Sequence, residues 1–363
     1  MSALARAAFA AGAGGAGWVL AGYPAALGLL PRRRWTTGPE QPPVTILIPA
    51  FREHQALRRK LAALELLDYP SDRLQVIVAV DEDEELAALV ARVRPGALVS
   101  FGRVRAGKAA ALTRALADAT GEIVLLTDAN NVLEPGSVAA AVRHFADPRI
   151  WAVAGRRGEQ DSPYDRYEDL IRRLESRSGS VAAMSGEFMA VRREHLPAFP
   201  AHVVNDDLWL LGELVRAGGR VIYEPKAGSV EEPVGTRAEM ARRSRIGAGR
   251  AMLLGELRGM PKGFVLRVLS HKHGRLALPF LLVLALLASL AGSRSGRGLR
   301  VAAAAQLAGY GLGVASGLGA RLPGPLARIG RAAWQFTLGN VAIGVGVVRA
   351  ARGRQDVRWE AVR

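Results

Sequence analysis

The chain has 363 residues, half of them hydrophobic, enough for one large domain with appendages. It has no cysteine, which excludes disulfides and cysteine-based zinc sites. The net charge is +16, with 44 Arg against 5 Lys; such a balance attracts nucleic acid or anionic lipid head groups, and without interleaved aromatic and basic residues the sequence points away from nucleic acid.

In chain order, residues 3–30 carry almost no charge, close to the ~20 apolar residues a membrane-spanning helix needs. The stretch is long for the apolar part of a cleaved signal peptide and has only Arg6 as a positive charge, so 1–31 reads as an uncleaved anchor. Arg32, Arg33 and Arg34 follow; the positive-inside rule keeps this flank, and the domain after it, in the cytoplasm at the plasma membrane.

Residues 42–258 read as a water-soluble α/β domain. Val44–Ile48 is a short β-branched strand stopped by Pro49, and Glu53 to about Leu67 has helical spacing. Leu74–Val80 is a second strand, followed by a helix to about Val93. Ala97–Phe101 is a third strand, Lys108–Ala119 an Ala/Leu helix and Ile123–Thr127 a fourth strand. Pro135 is expected to open the next helix. Helices are also expected at Tyr164 to about Ser176, Asp206–Arg216 and Thr236 to about Leu257, and strands at Met189–Val191 and Arg220–Tyr223. Strands alternating with helices predict a mostly parallel sheet covered by helices.

Residues 259–275 place Phe264, Val265, Leu266, Val268 and Leu269 against Lys262, Arg267, Lys272 and Arg275, a pattern suited to a helix in the membrane interface or to one packed on the soluble domain. Apolar runs at about 276–292, 301–320 and 332–348 predict about three further spans within 276–349, ahead of a charged tail at 350–363.

The chemistry gathers at strand ends. Thr127-Asp128-Ala129-Asn130 closes a buried strand with a carboxylate and an amide, oxygen ligands suited to Mg²⁺ or Mn²⁺ sharing its shell with substrate phosphates. Glu53 and Asp81 end the first and second strands on the same sheet edge, where α/β sheets bind ligands. Gly102–Ala109 resembles a phosphate loop, but Ala109 lacks the hydroxyl that loop needs; Gly107 and Lys108 at a helix start remain suited to a diphosphate. No glycine-rich turn follows the first strand, which excludes a dinucleotide-binding fingerprint. Asp206 and Asp207 open a helix, where two acids serve as caps or supply a general base. Arg242, Arg243 and Arg245 form a basic run that would steady charge on a leaving group.

Together, in this order, these segments resemble family 2 glycosyltransferases with a GT-A fold, in the membrane-anchored branch that includes cellulose, chitin, hyaluronan and poly-N-acetylglucosamine synthases. The resemblance spans about residues 42–275. It implies that Pro49, Ala50, Glu53, Asp81, Gly107, Lys108 and Asp128 bind a nucleotide diphosphate sugar, UDP-linked in this reading. Asp128 and Asn130 correspond to the Asp-x-Asp metal motif, and Ser185, Gly186 and Glu187 to the acceptor side. Asp207, beside Asp206, is implied to be the base of an inverting transfer to a glycan or lipid hydroxyl at the membrane.

Two motifs depart from the family pattern. Asn130 replaces the second metal-motif acid and adds no negative charge. Arg242 and Ile246 replace the Gln and Trp of the family's basic motif, so processive polymer synthesis and single transfer to a lipid or lipid carrier both stay open. A catalytically inactive nucleotide-binding membrane protein is the alternative from another class.

Overall fold

The computed structural model describes residues 2–158, 163–201, 203, 205–231 and 257–352. They divide into two compact units. The expected long helix at 236–257, with its basic run, and nearly all of the charged tail lie outside the described residues.

The first unit comprises the described residues of 1–26 and 268–355. Helix α1 (Ser2–Gly17) passes through a π-helical turn at Trp18–Gly22 into α2 (Tyr23–Leu29), whose last residues belong to the second unit. Within the first unit Ala16 and Val19 pack on Leu278. A Cβ on Gly12 would stand 2.8 Å from the backbone of Leu281 and Ala285, so glycine permits the helices to approach.

Among the described residues two helices are long and apolar enough to cross a membrane, Ala3–Leu29 and Lys262–Gly292. The expected interfacial stretch therefore runs straight into the expected span as one helix, through a π-helical turn at Leu269–His273. Lys272 and Arg275 are buried on it. The other two expected spans fall on helices Arg297–Gly317 and Gly324–Ala351. Alanine, glycine and arginine dilute both, and neither reaches the same apolarity.

The second unit comprises the described residues of 27–233 and 256–267, and it holds one eight-stranded sheet in the order β3-β2-β1-β4-β7-β6-β8-β5. Strands β1 (Val44–Ala50), β2 (Leu74–Asp81), β3 (Leu98–Gly102) and β4 (Ile123–Leu126) are parallel. Helices α3 (His54–Ala63), α4 (Glu84–Val93) and α5 (Lys108–Leu116) connect them, as the alternation predicted. The parallel half is buried on both faces: every residue of β1 and β4 is inaccessible. Pro49 does not end β1, because beyond Leu47 the strand pairs only with β2, and the missing N–H costs no bond to β4.

The other half of the sheet is mixed. Strand β5 (Asn131–Leu133) follows the metal motif, and Pro135-Gly136 forms the turn before α6 (Ser137–Val142), which opens at Ser137 rather than at Pro135. Strand β6 (Ile150–Arg157) precedes α7 (Pro163–Ser178), and β7 (Met189–Arg192) enters antiparallel between β4 and β6. After α8 (Asp206–Arg216), β8 (Arg220–Glu231) lies parallel to β6.

β8 outruns its expected end at Tyr223. The ladder partner moves from Gly155↔Glu224 to Arg156↔Gly228, so Pro225, Lys226 and Ala227 form a bulge where proline owes the ladder no donor. The re-aimed strand then pairs antiparallel with β5, setting Glu231 opposite Asn131. Arg267 closes this unit by donating to the carbonyls of Glu175 (2.6 Å) and Ser180 (3.1 Å).

Candidate active site

The C-terminal ends of β1, β2 and β4 share one edge because the strands are parallel and in register. Asp81 ends β2, Glu53 follows β1 and Asp128 follows β4, while Pro49 and Ala50 finish β1 as buried residues. Two non-glycine residues at this edge, Arg52 (φ 57°) and Glu82 (φ 54°), take the left-handed conformation. Such backbone strain gathers at functional sites.

Asp81 is fully buried. Its two carboxylate oxygens accept the backbone N–H groups of Ala106 (3.1 Å) and Gly107 (2.8 Å). The acid thereby fixes the loop ahead of α5, and Gly107 at φ 86° turns the chain into the helix in a conformation side chains resist. Lys108 follows as the first helical residue. Its ammonium contacts Asp128 Oδ1 at 2.8 Å and Asp206 Oδ2 at 3.0 Å. One cation thus joins the metal motif to the start of α8, segments 78 residues apart in sequence. Burial opposes the charge of Lys108, but the two carboxylates outweigh it and hold the amine well above the ordinary lysine range. Burial likewise raises Asp128, and the Lys108 contact, with Lys60 and Arg157, more than offsets it and keeps the acid ionised.

The turn carrying Asp128 rests on a lysine that sequence reading did not single out. Lys60 on α3 is wholly buried, and its Nζ donates to Thr127 Oγ1 (2.6 Å), the Asp128 carbonyl (3.1 Å) and Asn131 Oδ1 (2.6 Å). Burial pushes Lys60 down to about 7, against the pull of Asp128 and Glu187. Three acceptors match the three protons of an ammonium. A signal was available: Leu57, Lys60, Leu61 and Leu64 follow helical spacing, which places the lysine on the buried stripe.

Gly186 faces the same carboxylate: a Cβ there would lie 3.0 Å from Asp128 Oδ2 and 3.5 Å from Lys108 Nζ. Its neighbour Glu187 is buried, accepts from the Ser185 hydroxyl and pairs with Arg157 at 2.8 Å. Burial raises Glu187 to about 7, with Arg157 and Ser185 opposing and the charges of Asp128 and Glu231 adding. Glu53 is also raised to about 7, first by burial and then by Asp128.

Asn130 donates its Nδ2 to Glu231 Oε1 at 2.9 Å, and Glu231 Oε2 pairs with Arg157 at 2.9 Å. The Oδ1 of Asn130 is buried and has no hydrogen-bond partner. An orphaned amide oxygen two residues from a carboxylate suits a hard divalent cation. Among the described residues no three acids or histidines gather into a metal cage; one carboxylate and one amide fit an ion whose remaining ligands are phosphate and water.

Of the two acids opening α8, Asp206 is buried and holds Lys108, whereas Asp207 receives the N–H of Leu208 on Oδ1 at 2.7 Å. Glu53, Asp81, Gly107, Lys108, Asp128, Gly186, Glu187 and Asp206 therefore meet at one place. Arg242, Arg243 and Arg245 lie outside the described residues. Arg157 and Glu231, which sequence reading passed over, sit at strand ends that gave no pattern of their own.

Comparison with known proteins agrees with this geometry. The family described as "Glycosyltransferase like family 2" matches residues 42–245. A probable glycosyltransferase, YdaM, of Bacillus subtilis (strain 168) is 31% identical over 132 residues, which are 32% of this chain and 30% of that protein. The poly-beta-1,6-N-acetyl-D-glucosamine synthase of Staphylococcus epidermidis is 22% identical over 200 residues, 51% of this chain and 48% of that one. The chain thus spans less than half the length of these curated relatives. A solved mannosyltransferase from Pyrobaculum calidifontis, PcManGT in complex with GDP-Man and Mn²⁺, matches along 98% of this chain and 99% of its own, with TM-score 0.75 and 26% identity. The mixed sheet with its helices is a GT-A fold, and the chain belongs to glycosyltransferase family 2.

Proposed function

We propose that this enzyme is an inverting, metal-assisted transferase that moves a hexosyl or N-acetylhexosaminyl group from a nucleotide diphosphate sugar to a hydroxyl of a glycan or lipid at the membrane. The observation that carries the reading is the Lys108 bridge, which joins the Asp128 turn to Asp206, the sequence neighbour of Asp207, at the sheet edge. Two helices apolar enough to span a bilayer favour a membrane-borne acceptor and the expected multi-pass arrangement, and the flank Arg32, Arg33 and Arg34 favours the cytoplasmic side for the domain.

Asp128 and the Oδ1 of Asn130 would hold Mg²⁺ or Mn²⁺, which supplies positive charge to the departing diphosphate. Asp81 keeps the Gly107 loop in place, so that backbone N–H groups and Lys108 meet the phosphates. Asp207 takes the proton of the acceptor hydroxyl, and the oxygen attacks the anomeric carbon from the face opposite the diphosphate. Ser185, Gly186 and Glu187 line the acceptor side, and Arg242, Arg243 and Arg245 assist the leaving group.

The sequence resemblance favours a UDP-linked donor. Whole-length likeness to a protein solved with GDP-Man makes a GDP-linked hexose the first donor to test. The experiment is nucleotide release by purified protein against a panel of UDP- and GDP-sugars with Mn²⁺. Asp207→Asn should lose about 10²–10⁴-fold in turnover, the usual worth of a positioned base, with nucleotide affinity nearly unchanged. Wild-type turnover in that variant refutes the base assignment, and no release from any donor refutes the reading.

A further inference from the structure

The second residue of the metal motif is an amide, and its surroundings give that a reason. Asn130 Nδ2 donates to Glu231 Oε1 at 2.9 Å. Arg157 grips the other oxygen of Glu231 at 2.9 Å, and Arg157 itself is held by Glu187 at 2.8 Å. The β5–β8 ladder delivers Glu231 to this spot by pairing it with Asn131. A carboxylate only accepts hydrogen bonds, so Glu231 obliges Asn130 to turn its NH₂ inward and its oxygen away. That oxygen is the buried Oδ1 with no partner.

We propose that Glu231 is a positioning residue for metal binding: it fixes the amide of Asn130 so that Oδ1 is presented to the divalent cation beside Asp128. The proposal rests on the metal–nucleotide reading above. Asn130 and Glu231 then form a matched pair. An aspartate at 130 would set two carboxylates against each other, and a glutamine at 231 would be turned by Arg157. With its oxygen on the guanidinium, the Gln NH₂ faces Asn130, and Asn130 must reverse and use Oδ1 to accept from it. Glu231→Gln therefore turns the metal ligand away, and Asn130→Asp displaces it through repulsion from Glu231. Changing both reverses the polarity of the hydrogen bond, Gln donating to Asp, and frees the second Asp oxygen for the metal.

The test is Mn²⁺ affinity, read from the electron paramagnetic resonance signal of free Mn²⁺, with GDP or UDP present, whichever the wild type binds. Asn130→Asp and Glu231→Gln should each bind Mn²⁺ about tenfold more weakly, the usual effect of disturbing an outer-shell partner, and the double variant should return to within about threefold of wild type. Asn130→Ala removes Oδ1 without adding charge and should lose about as much as either single change; it carries the test if a single variant does not fold. Three results overturn the proposal. One is Asn130→Asp binding Mn²⁺ more tightly than wild type, since Glu231 would then act through charge alone. The others are additive losses in the double variant, and unchanged affinity in Asn130→Ala. A wild type that binds no Mn²⁺ with either nucleotide fails earlier, taking the metal–nucleotide reading with it.

Discussion

If Asp128 holds the divalent cation, as proposed above, Lys108 competes with that cation for the carboxylate, which yields a prediction with a definite sign. Its ammonium lies 2.8 Å from Asp128 Oδ1 and 3.0 Å from Asp206 Oδ2, so the metal-free protein carries its own counter-charge. A metal arriving without nucleotide must displace this ammonium or share Asp128 with it. Two unit charges about 4 Å apart interact by about 4 kcal/mol at an effective dielectric constant near 20. The Lys108 and Asp128 side chains retain 20% and 33% of their exposure, and solvent screening brings the figure to roughly 2 kcal/mol, or about thirtyfold in affinity. Lys108→Met should therefore bind Mn²⁺ about thirtyfold more tightly in the absence of nucleotide, while its affinity for the nucleoside diphosphate falls. Isothermal titration with Mn²⁺ alone, then with GDP or UDP, separates the two effects. Without metal the variant leaves two carboxylates facing each other, so its Tm should fall, and saturating Mn²⁺ should raise that Tm by more than it raises the wild type's. A folded Lys108→Met protein with unchanged or weaker nucleotide-free Mn²⁺ affinity would refute the reasoning.

Two further outcomes follow from the buried charges. Glu187 stands near 7 rather than 4.5, so its protonated form favours the fold: that stability is complete below about pH 4.5, and about 3 kcal/mol is lost as pH rises to about 7. Wild type should lose stability relative to Glu187→Gln across that window in urea melts, and parallel curves would contradict it. Lys60→Met keeps the side-chain length but strips donors from Thr127, Asp128 and Asn131, at about 1–3 kcal/mol each, while no longer burying an ammonium returns of order 5 kcal/mol. Its Tm should stay near wild type while turnover falls at least about tenfold, because the Asp128 turn loses its tether; full turnover would show that the tether is dispensable.

The parallel half of the domain was legible because each strand is a continuous apolar run bounded by turn residues. β1, β2 and β4 are buried on both faces, which suppresses alternation and leaves runs such as Ile123-Val124-Leu125-Leu126. The shared sheet edge then follows from topology, and with it the convergence of Glu53, Asp81 and Asp128. The mixed half was harder to read. β5 is three residues long, its first the polar Asn131, and β8 contains Glu224, Pro225 and Lys226, which read as a strand end. The sheet absorbs them as a bulge, an arrangement that depends on β6 as partner and has no local signature.

The same division runs through the site. Residues on the parallel edge could be named from the sequence, because the carboxylate there ends an apolar run. The groups that hold those residues in place could not, because their partners come from elsewhere in the fold. Lys60 reaches the metal motif across 68 residues, Glu231 reaches Asn130 across 101 and Arg157 reaches Glu231 across 74. From the sequence, Asn130 looks like a weakened metal ligand that has lost a charge. With Glu231 at 2.9 Å the substitution has a physical reason: a second carboxylate already stands behind position 130, and an amide is the side chain that can satisfy it while still offering an oxygen. The second carboxylate beside the Asp128 turn comes from another strand, where pattern reading along the chain does not look for it.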